Sequence, residues 1–153
     1  MFKDGDTASS GLALVATNGR VNVLETELSE ARRRGRVGEP VVLGGVNESV
    51  TQFEFELTLT LQMSRISFAS MLAPSPDWFS GVSGVALQQD GNWVENMSVP
   101  LWVWSAGADS GPTFTSPNAN IQPRQSVRSL SHPAFLTAAG LLPIGTATFT
   151  RLP

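Results

Sequence analysis

Between Gln52 and Gln62 the chain reads QFEFELTLTLQ, an unbroken alternation of apolar and polar residues over eleven positions. Successive side chains of an extended backbone point to opposite faces, so Phe53, Phe55, Leu57, Leu59 and Leu61 share one face. Glu54, Glu56, Thr58 and Thr60 share the other. A period of two is incompatible with a helix and predicts a half-buried strand with the apolar set inside. Ile66 to Leu72 is its expected antiparallel partner, with Phe68 inside, across a short turn at Met63-Ser64-Arg65. Further strands are expected at Val82 to Leu87, Trp93 to Trp104 and Thr146 to Leu152, the first two separated by an Asp90-Gly91 turn of the hairpin type. Short strands with this punctuation predict a mainly β protein, an antiparallel β-sandwich.

The first third reads differently. Ser10 to Thr17 predicts a short helix stopped at Asn18-Gly19, because glycine takes the left-handed conformation that ends helices. From Asn22 to Arg34, Leu24, Leu28 and Ala31 recur at helical spacing, with glutamates early and Arg32, Arg33 and Arg34 in the last turn. That polarity suits the helix dipole and explains the arginine run as a solvated helix end. Residues 1 to 153 are thus expected to form one β-sandwich domain with short helices in its N-terminal third.

Several functions are excluded early. The net charge is −3, and the ten basic residues form no stripe, so nucleic acid is not an expected partner. With no cysteine there is no disulfide scaffold, thiolate zinc site or cysteine nucleophile. No stretch approaches the ~20 apolar residues of a membrane-spanning helix, and the N-terminus lacks the apolar core of a signal peptide. His132 is the single histidine, and no serine sits in a G-x-S-x-G setting. Asp77 with Glu56 or Glu95 is the one carboxylate pairing of interest, and nothing in the sequence sets its separation. No enzymatic activity is expected.

Three ordered blocks carry more information. Residues 66–82 read ISFASMLAPSPDWFSGV, residues 91–94 read GNWV, and residues 106–118 read AGADSGPTFTSPN. In this order and spacing they closely resemble the spondin domain family, the N-terminal module of F-spondin and mindin. The early DTASSGL at residues 6–12, followed by Asn18-Gly19, resembles the opening of its bacterial members. The resemblance implies a β-sandwich related to calcium-dependent membrane-binding domains, in an extracellular or cell-surface setting. It also implies a Ca²⁺ ion held at one end and adhesion to a protein or glycan partner.

The same resemblance implies a ligand set. Asp77 matches a metal-binding aspartate of the family, and Glu56 best matches a glutamate on the preceding strand, with Glu54 sharing its face. The third acid, the first residue of the family's D-A-G-T-D-S-G block, is Ser105 here, which implies weak or lost binding unless Asp109 substitutes. Ca²⁺ takes six to eight oxygen ligands, so each lost carboxylate matters. Trp78 is expected at the rim of this end, as a partner contact, while Trp93 and Trp104 are expected in the core. Bacterial members usually carry a strand ahead of the Phe2-Lys3-Asp4-Gly5 region. Its absence predicts a bare N-terminal edge open to self-association. A non-catalytic, calcium-associated adhesion module is therefore the leading expectation. The alternative is a structural subunit of a fibre, coat or particle assembled by strand pairing.

Overall fold

A computed structural model describes residues 1–43 and 52–152. Helix α1 spans Ser10–Asn18 and α2 spans Asn22–Arg33. Ser9 caps α1, its Oγ accepting from the Leu12 N–H at 3.1 Å. Gly19 ends the helix at φ 69°, where its N–H donates to the Val15 carbonyl. The two helices meet at Gly11, where a Cβ would lie 2.5 Å from the Leu24 Cα. Glu27 of α2 reaches the start of α1, accepting from the Gly11 N–H at 2.9 Å and the Ser9 hydroxyl at 2.6 Å. A carboxylate there complements the positive end of the α1 dipole. Arg32 pairs with Glu39 and Arg34 with Glu30 on the exposed face, as a solvated helix end should.

The strands follow as β1 (Arg65–Met71), β2 (Trp78–Ala86), β3 (Gln88–Gln89), β4 (Asn92–Trp93), β5 (Asn96–Ser105), β6 (Arg128–Ser129), β7 (Leu136–Thr137), β8 (Gly140–Leu141) and β9 (Gly145–Thr150). Every pairing is antiparallel. The main sheet runs β1-β2-β5-β6, and β9 pairs with the first half of β5. The architecture is mainly β with two helices in the N-terminal region, as expected. The Asp90-Gly91 turn also forms, both residues adopting positive φ (51° and 80°) as a two-residue hairpin of β3 and β4 demands. The stretch expected as one strand from Trp93 to Trp104 is split into β4 and β5.

The core lies between α1 and one face of the sheet. Leu12, Ala13 and Ala16 of α1 pack with Phe79, Ala106, Ala108 and Val127, and Phe2, Ala69 and Trp104 close the margins. Phe2 stands edge-on to Phe79 at 4.9 Å and 5.4 Å from Trp104 between ring centroids. Trp104 is half-buried against this core as expected, whereas Trp93 is half-exposed on a short hairpin. β1 and β2 approach closely at Gly81, where a Cβ would fall 2.0 Å from the Phe68 carbonyl oxygen.

Two expectations are corrected. The alternating stretch from Gln52 to Thr60 joins no ladder, and Phe53 and Phe55 remain 47% and 44% exposed. An alternating pattern favours extended backbone, but a strand needs both a partner edge and an apolar face to bury. Here α1 and Phe2 already fill the apolar face of the sheet. The N-terminal edge, in turn, is not bare. The Gly5 N–H donates to the Val127 carbonyl at 2.9 Å, and the Val127 N–H donates to the Asp6 carbonyl at 2.8 Å. Thr7 bridges Ser126, so the opening residues pair with the segment entering β6.

This arrangement separates two apolar residues that the sequence pattern treats alike. Leu12→Ala is expected to lower unfolding free energy by about 2–5 kcal/mol, because it opens a cavity in the core. Phe55→Ala should stay within about 0.5 kcal/mol, the range of surface substitutions. Chemical denaturation of both variants checks this, and equal losses would contradict the packing described.

Candidate functional site

The SPDW segment is held by its own serine. The Ser75 N–H donates to the Leu72 carbonyl at 2.9 Å. The Ser75 Oγ accepts from the Trp78 N–H at 3.1 Å and donates to the Trp78 carbonyl at 3.3 Å. This turn delivers Asp77 to the start of β2, opposite the end of β5, where Trp78 pairs with Ser105. The Asp77 carbonyl then accepts from the Ala106 N–H at 3.1 Å.

Asp77 is 2% exposed, and its Oδ2 collects three donors. The Ala108 N–H lies at 2.8 Å, the Ser105 hydroxyl at 3.2 Å and the Asp109 N–H at 3.3 Å. The Ser105 Oγ also accepts from the Gly107 N–H at 3.2 Å. Asp109, 6% exposed, repeats the pattern one step outward. Its Oδ1 accepts from the Gly111 N–H at 2.8 Å and its Oδ2 from the Ala119 N–H at 2.6 Å. Backbone bonds from Ser110 to Ala119 and from Ile121 to Ala108 zip the two sides of this loop. Gly107 allows the tight return. It adopts φ 67°, and a Cβ there would meet the Gln125 carbonyl oxygen at 2.2 Å.

The structure therefore brings Asp77, Ser105 and Asp109 together. Glu56 is exposed on the stretch before β1, outside any strand, and Glu54 there accepts from Gln52. Among the described residues no three His, Cys, Asp or Glu side chains are grouped to hold a metal ion. Calcium asks for six to eight oxygens with their lone pairs turned inward. Here three of the four carboxylate oxygens of Asp77 and Asp109 already face N–H or O–H donors. The residues present do not fit a calcium site built on Asp77 and Glu56.

Trp78 lies elsewhere than expected. It is 2% exposed rather than at a rim, because the later part of the chain folds over it. Its ring meets His132 at 5.0 Å, Phe114 at 5.8 Å and Phe135 at 6.1 Å between centroids. The His132 Nδ1 accepts from the Ala134 N–H at 3.2 Å and caps a 3₁₀ turn, Pro133–Phe135. This histidine is a packing and capping residue. The residues that the sequence reading missed are the donors: Ser75 and the amides of Ala108, Gly111 and Ala119. The visible signal was Gly107 and Gly111 flanking Asp109, glycines that let backbone N–H groups turn toward a side chain.

Burial raises the Asp77 pKa above its ordinary value. The Ala108 and Asp109 amides and the Ser105 hydroxyl oppose that shift, and the nearby Asp109 charge adds to it. A carboxyl with a raised folded-state pKa stabilises most below its unfolded value of 3.8 and loses that contribution as pH rises through the folded value. The Asn variant keeps an acceptor oxygen without the charge. The melting temperature of wild type minus that of Asp77→Asn is thus expected to fall as pH rises from 3.8, then level off. Paired thermal melts across the acidic range check this, and a difference that grows with pH would contradict it.

Residues 1–135 match the Spondin_N family. Spondin-2 of Rattus norvegicus is 33% identical over 99% of this chain and 49% of its own length. Spondin-1 of Mus musculus is 31% identical over 87% of this chain and 18% of its own length. Spondin-1 of Gallus gallus reaches 44% identity over 44% of this chain and 9% of its own. The chain thus spans about half of Spondin-2 and less than a fifth of Spondin-1. With its family match running from the first residue through the closing 3₁₀ turn, this chain belongs to the Spondin_N family.

Proposed function

We propose that this chain is a non-catalytic extracellular module that holds protein partners of the matrix or cell surface. The observation that carries the reading is membership of the Spondin_N family over residues 1–135. The chemistry of the site supports it. Three of the four carboxylate oxygens of Asp77 and Asp109 face the chain's own N–H and O–H groups, and His132 Nδ1 is spent on a cap. A catalytic group keeps an acceptor or donor aimed at substrate. The acceptors named above face the chain's own donors instead, and fold alone assigns no chemistry.

Partner contact belongs to exposed residues rather than to Trp78. Phe53, Phe55, Leu57 and Leu61 lie next to one another in sequence and are 37–62% exposed. Aromatic anchors of this kind dominate binding energy where they become buried on contact. The immobilised chain is expected to bind a reconstituted basement-membrane matrix saturably and above an albumin-coated control. A Phe53→Ser, Phe55→Ser double variant should weaken binding about tenfold or more, the effect of losing one strong anchor. Binding no better than to albumin would overturn the reading.

A second reading, assembly by strand pairing, rests on one observation. The stretch from Gln52 to Thr60 alternates apolar and polar residues, belongs to no ladder and precedes the edge strand β1. Unpaired extended backbone with apolar side chains is a template for another chain. Sedimentation decides it: a monomer at every concentration removes the assembly reading and leaves the adhesion module.

A further inference from the structure

The family resemblance calls for a cation between acids, and this chain places a serine where one of those acids would stand. We propose that Asp77, Ser105 and Asp109 form a metal-independent clasp, in which the Ser105 hydroxyl and the Ala108 and Asp109 amides give Asp77 the hydrogens that take the place of a cation. The inference concerns how this end of the domain is held together, so it stands or falls separately from the partner-binding reading above.

The geometry carries it. The Ser105 hydroxyl lies 3.2 Å from Asp77 Oδ2 and is itself anchored by the Gly107 N–H. Both residues are buried, at 3% and 2% exposure. A carboxylate at position 105 would bring a second negative charge to the same buried oxygen. Like charges this close in a water-poor site cannot both persist without a proton or a cation between them. Serine removes that requirement by supplying a donor in place of an acceptor. The amides of Ala108 and Asp109 then provide the rest of the positive potential that Asp77 needs. Asp109 carries the same device outward to Gly111 and Ala119, so two carboxylates and one hydroxyl pin a loop that returns near Ala119. The glutamate that the resemblance places in the ligand set is exposed on another segment at Glu56. Three of the cluster's four carboxylate oxygens are thus matched to hydrogens.

The test follows thermal unfolding of the intact chain in EDTA and in millimolar CaCl₂, with titration calorimetry of CaCl₂ alongside. Wild type should melt at the same temperature in both solutions and give no binding heat. Ser105→Ala removes one of the three donors to Asp77 Oδ2, so it should melt lower by the same amount in both. Ser105→Asp should melt lowest in EDTA, recover in CaCl₂ and acquire a binding heat that Asp77→Asn abolishes. A wild-type melting temperature raised by calcium, with a binding heat lost in Asp77→Asn, would overturn the proposal. An unchanged melting temperature for Ser105→Ala would also overturn it. Wild type and Ser105→Ala decide the matter even if Ser105→Asp does not fold.

Discussion

One buried oxygen, Asp77 Oδ2, organises the end of this domain. Three donors converge on it, two of them amides from the loop that follows β5. Hydrogen bonds to a charged group contribute about 1.5–3 kcal/mol each. Removing one partner of such a buried set leaves its groups unsatisfied, which costs more than the bonds contribute. The consequence is structural before it is functional. With Asp77 fixed at the start of β2, Trp78 is directed into the protein, Ser105 is set opposite it, and the loop after β5 is tied to the sheet at Ala108 and Asp109. The cover over Trp78 by Phe114, His132 and Phe135 follows from that attachment.

What could be read in the sequence divides along physical lines. Both helices, their glycine stop and the hairpin at Asp90-Gly91 were legible because short-range rules govern them: caps, dipoles and turn conformations. β1, β2, β5 and β9 were legible in existence but not in extent. β2 begins four residues before the expected Val82, and the expected strand from Trp93 breaks ahead of Asn96. The strongest local signal, the alternation from Gln52 to Gln62, was the least faithful guide to packing. Alternation says which side chains share a face but not whether a sheet has room for that face. Here α1 and Phe2 occupy the apolar side first.

The site was legible in part for a similar reason. Asp77, Ser105 and Asp109 stand out in the sequence because they sit in motif blocks, and the structure does gather them. Glu56 enters only through the resemblance, as the best match to a glutamate on the preceding strand, and residues 52–60 form no strand here. The sequence expectation sets Trp78 at the rim of the cation end, yet it is 2% exposed. Burial depends on what folds over a residue, and here the cover comes from His132 and Phe135, more than fifty positions later. The backbone donors were invisible, since any residue supplies an amide and only the loop's course decides where it points.

The central claim, that a hydrogen-bonded carboxylate holds this loop without a metal, is tested most directly by amide hydrogen exchange at single-residue resolution in EDTA. Slow exchange is expected at Ala108, Asp109 and Ala119 in wild type. In Asp77→Ala the Ala108 and Asp109 amides should exchange much faster, while amides of α1 stay protected. Fast exchange at Ala108 and Asp109 in wild type under EDTA, slowed only when calcium is added, would contradict it.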